Sequence, residues 1–190
     1  MPRRKVVRGE GETRRRILRA AMVRFSKAPY EQVGLREVAA DVGVDVAYVH
    51  RSFTSKERLF AECVKGAGDR SGAFLAGTGN PVDSLVRQLF RPRKAHEVRS
   101  LDIVIQSLSS PDAARVLRRI APDFITQLAA FAGDRSATRA TLALALLAGV
   151  GILRNVIGIS TLVGSDDREV ARLVRRAMRD ILRLERRRQV

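Results

Sequence analysis

The chain has 190 residues, enough for one large or two small domains, and 45% of them are hydrophobic and 29% charged, as in folded globular proteins. One cysteine and two histidines exclude a disulfide scaffold and a metal centre built on His and Cys. The formal net charge of +16 favours a polyanionic partner, nucleic acid first and an anionic membrane second. Compositional drift toward arginine is the alternative explanation.

The chain begins with a predicted flexible basic arm. Residues 1–11 include Arg3, Arg4 and Lys5 and show no apolar periodicity. They also lack the apolar stretch of a secretory signal, and we therefore expect a cytoplasmic, nucleoid-associated protein. The arm could enter a minor groove beside the recognition site, or remain disordered without touching DNA.

Four amphipathic helices are predicted in residues 12–66. The first spans about Thr13 to Ser26, with its apolar residues on one face. The second covers 35–42, the third covers 46–53, and the fourth begins after Ser55 and fades at two glycines. No strand pattern occurs in this region.

Within these helices, Ala39, Gly43 and Val49 have the spacing of a helix-turn-helix. A small Ala39 lets the second helix of the motif cross the first closely, Gly43 supplies the turn, and Val49 faces the core. Asp45 can cap the second helix by accepting from free backbone N–H groups. The motif predicts DNA binding, and the alternative is an ordinary helical hairpin.

A second, more apolar set of helices is predicted in residues 67–190, beginning after a glycine-rich junction. They lie at about Val82 to Phe90, His96 to Leu108, Pro111 to Phe131, Thr138 to Ile159 and Asp167 to Arg188. The uncharged stretch 140–153 has about 14 residues, fewer than the roughly 18 of a membrane span, and a buried helix is expected. The predicted fold class is therefore all-α, with no membrane partner.

Several residues of the first half occupy the characteristic positions of one known family. They are Thr13, Ile17, Ala20, Ala21, Phe25, the run from Leu35 to Ala40, Gly43, Val44, Phe53, the run from Ser55 to Glu57, and Leu59. Residues 12–60 thus resemble the DNA-binding domain of the TetR family of transcriptional regulators. The remainder resembles, more weakly, the helical ligand-binding and dimerisation domain of actinobacterial members.

The exposed face of the third helix is the predicted base-reading surface. It offers Val46, Ala47, Tyr48, His50 and Arg51 to a major groove. Arg51 could give paired hydrogen bonds to guanine or contact a phosphate, and Val46 and Ala47 could touch thymine methyl groups. His50 stands where the family usually has a phosphate-contacting tyrosine, and it could donate either as a neutral or as a protonated ring.

Two further basic residues are predicted DNA contacts. Lys56, at the start of the fourth helix, suits a backbone phosphate, or it is merely solvated. Arg36 lies on the first helix of the motif and belongs to the same predicted set. Because Asp45 and Val46 replace residue types usual in the family, the operator sequence cannot be transferred from it.

A symmetric dimer is expected, because one recognition helix covers only a few base pairs of an operator. In the family, the last two helices of each subunit form a four-helix bundle. The predicted interface is Leu142, Leu153, Ile157, Val170, Val174, Met178 and Ile181. The alternative is that these residues form the core of a monomer.

The resemblance also implies a repressor that leaves a near-palindromic operator when a small, largely apolar effector binds. The apolar composition of residues 82–131 fits a closed cavity or a plain core. The predicted ligand-binding residues are Gln106, Phe124, Gln127, Leu128, Leu146, Val150 and Arg154.

Other classes of protein explain the sequence less well. An enzyme is disfavoured because His50 and His96 are the only histidines and no phosphate-binding loop or paired acid motif occurs. We therefore expect no catalytic residue, metal or cofactor. Cys63 is predicted to be packed, with redox sensing as the alternative. A sequence-independent, nucleoid-architectural DNA-binding protein would explain the charge but not the helix-turn-helix.

Overall fold

The computed structural model describes residues 7–69, 80–92, 97–132, 136–163 and 167–183, and these contain helices and no strand. The all-α prediction is confirmed. In chain order the elements are α1 (Val7–Phe25), a 3₁₀ turn (Tyr30–Gln32), α2 (Leu35–Val42), α3 (Val46–Phe53), α4 (Lys56–Asp69), α5 (Pro81–Phe90), α6 (Ser100–Gln106), α7 (Pro111–Ala132), α8 (Ala137–Ile152), a π-helical turn (Leu153–Ile157), α9 (Ser160–Val163) and α10 (Asp167–Ile181).

The first helix is longer than its apolar pattern indicates. It begins at Val7, so the prediction of a flexible arm up to residue 11 is wrong for residues 7–11. The glycines there lower helix propensity by only about 1 kcal/mol each, and no proline interrupts the backbone hydrogen bonds. Glu12 adds ion pairs with Arg15 at 2.9 Å and Arg19 at 3.0 Å.

Other helix ends also differ from the sequence pattern. α6 begins at Ser100 instead of His96, which lies outside the described residues. α8 gives way to the π-helical turn at Leu153, and Gly158 ends that turn with a φ of 74°. This left-handed conformation suits glycine and stops the helix before its predicted end at Ile159.

The chain divides into two compact units, which are not the two sequence segments expected. The first comprises residues 1–71 and 96–120, and the second comprises residues 72–95 and 121–190. Residues 96–120 join the helix-turn-helix because Ile103, Ala113 and Val116 are buried in the same apolar core as α1 to α4. The apolar core of the DNA-binding helices thus includes residues that lie well beyond residue 66 in the sequence.

Three aromatic rings form the centre of the first unit. Phe25 stacks on Tyr30 with ring centroids 5.9 Å apart, and Phe60 meets both rings edge-on at 5.0 and 5.1 Å. All three side chains are at most 3% exposed. Burial raises the pKa of Tyr30 to about 12, so its hydroxyl stays neutral at physiological pH.

The second unit has its own core, formed by α5, α8, α10 and the end of α7. α10 packs against α5 and α8, and Met178 at their meeting point is fully buried. The other fully or nearly buried members are Val82, Val86, Leu128, Ala129, Ala140, Ala143, Leu147, Val174 and Leu182.

Truncation of Phe60 tests the aromatic centre. Phe60→Ala leaves a cavity beside Phe25 and Tyr30, and we expect a loss of about 3 to 5 kcal/mol in the free energy of unfolding. Val23→Ala, on the exposed side of α1, is the control and should change it by less than about 0.5 kcal/mol. Urea denaturation followed by circular dichroism measures both, and equal effects would contradict the assignment.

Candidate nucleic-acid interface

One glycine and one carboxylate set the turn between α2 and α3. Gly43 has a φ of 72°, and its N–H is directed at the carbonyls of Ala39 and Ala40. A side chain at this position would be strained by the left-handed backbone. Asp45 precedes α3, and its carboxylate accepts from the N–H of Ala47 at 2.6 Å. The predicted turn and N-cap are both confirmed.

The two sides of α3 differ sharply in burial. Val49 and Phe53 are 0% and 2% exposed and lie in the core of the first unit. Ala47, His50 and Arg51 on the opposite side are exposed. The side chains of Val46 and Tyr48 are half-buried against the core. The five candidate residues of α3 thus comprise three exposed side chains and two partly buried ones.

Arg51 and Tyr48 form a pair on the outer side of α3. The guanidinium carbon of Arg51 lies 5.6 Å from the centroid of the Tyr48 ring, within the range of a cation–π contact. A free arginine side chain loses roughly 2 kcal/mol of rotamer entropy when it is fixed. The ring therefore restricts Arg51 before any ligand is bound, which suits a directional contact.

Two contacts from α1 hold α2 in place beneath the turn. The Arg16 guanidinium donates to the Val42 carbonyl at 2.9 Å. Arg24 donates to both carboxylate oxygens of Asp41 at 2.5 and 2.7 Å. These hydrogen bonds lower the pKa of Asp41 and raise that of Arg24. The arginines of α1 thus orient the helix-turn-helix as well as adding charge.

Arg14 supports the carboxyl end of the recognition helix. Its guanidinium lies over the Phe53 ring, 4.5 Å from the centroid, and forms an ion pair with Glu62 of α4. This positioning role was not predicted from the sequence. Residues 14, 53 and 62 are too far apart in the chain for helical periodicity to relate them.

Lys56 has contacts within the protein, and its role as a phosphate contact stays a prediction. Its ammonium lies 4.4 Å from the centroid of the Tyr30 ring and donates to the Glu31 carbonyl at 3.3 Å. Burial lowers the pKa of Lys56. Lys56 links the start of α4 to the 3₁₀ turn.

The remaining DNA-contact candidates are only partly located. Arg36 is exposed on α2. Arg3, Arg4 and Lys5 lie outside the described residues. Cys63 is fully buried, and burial raises the pKa of its thiol, so the structure agrees with packing and gives no support to redox sensing.

The uncharged polar and aromatic residues predicted to bind a ligand have exposed side chains. Gln106 is exposed at the end of α6 in the first unit. Phe124 and Gln127 are exposed on α7 in the second. The core-facing side of that helix carries Ile125 and Leu128 instead.

The other predicted ligand residues lie inside the second unit. Leu128 is fully buried, and Leu146 and Val150 pack half-buried against the same core. Arg154 has a side chain only 13% exposed, and it pairs with Asp167 at 2.8 Å. Of the seven predicted residues, Arg154 alone combines substantial burial with a described ion pair.

The predicted dimer interface divides into two sets. Leu142, Leu153 and Ile157 are 55%, 42% and 59% exposed. Val174 and Met178 are 6% and 0% exposed, and the prediction that they meet a partner is wrong because α5 and α8 of the same chain cover them. Val170 and Ile181 are half-buried against that same core.

The exposed set belongs to an apolar band on α8 and the π-helical turn. Leu142 and Leu153 lie eleven residues apart, which is close to three helical turns and puts them on one face. In the described part of the chain, α8 and the π-helical turn together (Ala137–Ile157) have the length and composition of a membrane span, and only 22% of their most apolar stretch is buried within the protein. Length and composition alone fit a membrane span or a helix covered by a protein partner.

An outward-facing recognition helix in a helix-turn-helix, followed by a helical second unit, defines a helix-turn-helix transcriptional regulator. Residues 17–63 match the family described as bacterial regulatory proteins, tetR family. Residues 83–182 match the tetracyclin repressor-like C-terminal domain. The chain belongs to the TetR family of transcriptional regulators, which are non-enzymatic DNA-binding proteins.

Solved structures show the same fold. A TetR-family transcriptional regulator from Rhodococcus sp. has a TM-score of 0.66 at 15% identity, over 90% of this chain and 99% of that one. A TetR-family regulator from Streptomyces coelicolor A3 has a TM-score of 0.57 at 26% identity, over 92% and 97%. A transcriptional regulator from Saccharomonospora viridis in complex with choline has a TM-score of 0.57 at 23% identity, over 92% and 97%. No curated protein matches the chain.

The Arg24–Asp41 pair predicts a pH-dependent stability difference. The folded-state pKa of Asp41 is lowered, so its contribution is present above the unfolded value of about 3.9 and is lost as pH falls through the folded value. Asp41→Asn should therefore destabilise the protein at pH 7 and have much less effect near pH 2. The pair is partly exposed, so the effect is modest.

Urea midpoints of the wild type and Asp41→Asn at both pH values measure this difference. Asp112→Asn, in an exposed pair with Arg115, is the control. A difference between wild type and Asp41→Asn that stays constant with pH would contradict the electrostatic interpretation.

Proposed function

We propose that this chain is a sequence-specific repressor that binds its operator as a homodimer and leaves it when a small effector binds. The observation that carries the proposal is α3, which buries Val49 and Phe53 and exposes Ala47, His50 and Arg51 on its other side. An α-helix of this kind fits the major groove of DNA, which is about 12 Å wide.

Arg51 is the proposed base-reading residue. Its fork of N–H donors matches guanine O6 and N7, and contact with Tyr48 limits the orientations it has to lose on binding. His50 is proposed to donate to a backbone phosphate, and Ala47 with the exposed part of Val46 to touch thymine methyl groups. Arg36 and the residues before α1 are proposed phosphate contacts that add affinity without sequence information.

The apolar band on α8 supports the homodimer. Leu142, Leu153 and Ile157 are exposed on a helix that is otherwise almost entirely apolar, and a second copy would cover them. A two-fold pair of recognition helices then requires a near-palindromic operator with half-sites one or more helical turns apart. The net charge of +16 supports association with the nucleoid between specific sites.

The effector is proposed to be small and largely apolar. It would shift the dimer toward a state with the wrong spacing of recognition helices, through its differential affinity for the two states. A related fold has been solved with choline bound, which supports small-molecule binding as the means of control.

Replacing Arg51 tests the base-reading proposal. Arg51→Ala should weaken operator binding by about 10- to 100-fold for each half-site and relax selection at one base pair there, because a bidentate contact to guanine supplies roughly 1 to 3 kcal/mol of discrimination. Binding to random duplex DNA should change much less. Fluorescence anisotropy on operator and random duplexes at several salt concentrations measures both affinities.

The matched control is Arg118→Ala, which removes the same charge from an exposed position on α7. It should leave the ratio of operator to random binding unchanged. If Arg51→Ala lowers both affinities equally and reduces the salt slope, Arg51 is a phosphate contact. If the wild type shows no preference for any site, the protein is a sequence-independent DNA-binding protein instead.

Charges placed in the apolar band test the homodimer. Wild-type protein near 1 μM should sediment at about twice the chain mass of 21.0 kDa. Leu142→Glu with Ile157→Glu should shift it to the monomer without loss of helicity, because both side chains are more than half exposed in the single chain. Gln106→Glu, exposed in the first unit, is the control.

A wild-type protein that stays monomeric would overturn the dimer. Flotation with lipid vesicles that depends on Leu142 and Ile157 would instead assign the band to a membrane.

A further inference from the structure

A depression of about 720 Å³ lies between α5 and α10 of the second unit, within the range of small-molecule sites. None of the residues that the sequence analysis assigned to a ligand lines it. Its apolar lining consists of Val86, Phe90, Pro92 and Ala171. Its charged lining consists of Arg87, Arg91, Arg168 and Arg175 with Asp83 and Asp167.

Both carboxylates of the lining form ion pairs with arginines. Asp83 pairs with Arg175 at 2.7 Å and with Arg179 at 3.3 Å. Asp167 pairs with Arg154 at 2.8 Å. The lining itself holds four arginines and two aspartates, which is a formal charge of +2. A site with this balance attracts anions and repels cations.

Arg154 contacts one residue of the apolar lining. Its guanidinium lies 5.0 Å from the centroid of the Phe90 ring, and it also donates to the carbonyl of Leu162. Since the side chain is only 13% exposed, solvent screens its charge less than that of a surface arginine. A molecule resting on Phe90 would therefore lie on a ring that already contacts a cation, with further arginines in the lining.

We propose that this depression binds an organic anion with an apolar body, such as a medium-chain carboxylate. The head group would pair with Arg87 at the rim, because a guanidinium fork matches a carboxylate in geometry and charge. The chain would lie against Val86, Phe90 and Ala171. The role of this depression as the effector site rests on the ligand-released repressor proposed above. Its binding of an organic anion does not depend on that proposal.

The test uses the full-length protein without DNA and three probes with the same ten-carbon chain. Isothermal titration calorimetry should show decanoate binding at least tenfold more tightly than decanol or decyltrimethylammonium. Arg87→Gln should weaken decanoate binding about tenfold, since each 1.4 kcal/mol of a charge-assisted contact is a factor of ten. Arg87 is exposed, with a 3.5 Å contact to Ser84, so its replacement should not disturb folding.

Two further variants act as controls. Arg87→Lys keeps the charge without the fork and should have an intermediate affinity. Arg118→Gln removes an exposed arginine of α7 that does not line the depression, and it should change the affinity less than twofold. Equal binding of the three probes, or equal effects of Arg87→Gln and Arg118→Gln, would overturn the proposal. A loss of random-duplex binding in Arg87→Gln with decanoate binding intact would assign the depression to nucleic acid.

Adding decanoate to the protein–operator complex separates the site from the regulatory function. If decanoate releases the operator and the release depends on Arg87, the result supports both the anion site and its role as the effector site. If decanoate binds in an Arg87-dependent way but does not release the operator, the binding site stands and its role as the effector site is overturned. If the wild-type protein binds its operator but does not bind decanoate, the anion site is overturned and the repressor proposal stands.

Discussion

Burial of Val49 and Phe53 is the interaction on which the DNA-binding surface depends. α3 has only eight residues, and a helix that short has little stability of its own in water. Full burial of two such side chains contributes about 1.5 to 3 kcal/mol each, which fixes both the helix and its rotation. Once that rotation is set, helical periodicity alone turns Ala47, His50 and Arg51 outward.

The core that holds α3 extends beyond the helix-turn-helix. Ile103, Ala113 and Val116 are buried with it, so the start of α7 belongs to the DNA-binding unit. Ser110 ties that start to the rest of the unit, because its hydroxyl donates to the Glu31 carboxylate and accepts from the Ala113 N–H. The orientation of the recognition helix is therefore coupled to residues 96–120 by packing and by hydrogen bonds.

Short-range rules made the amino-terminal helices predictable. Gly43 and Asp45 act within a few residues of their positions, and the burial of Val49 and Phe53 follows from a periodicity visible in the sequence. Contacts between distant residues were not predictable. Lys56 contacts Tyr30 and Glu31, and Arg154 contacts Phe90. These contacts depend on how the helices pack against one another.

The apolar residues of α10 illustrate a second limit. Val174 and Met178 have the spacing of a packing face, but an apolar stripe has the same appearance whether its own chain or a partner covers it. Burial in the folded chain distinguishes these cases, and among the seven predicted interface residues it leaves Leu142, Leu153 and Ile157 exposed. The α5–α10 depression was also missed, since residues 83–92 and 167–175 are related only by tertiary packing.

The most direct test of sequence-specific repression is selection of genomic fragments by the purified full-length protein. The selection would use about 150 mM salt and excess competitor DNA, with footprinting of the recovered fragments. The proposed function predicts one short near-palindromic motif, protected in two half-sites a whole number of helical turns apart. Uniform recovery without a motif, from protein shown by mass spectrometry to carry no ligand, would contradict it.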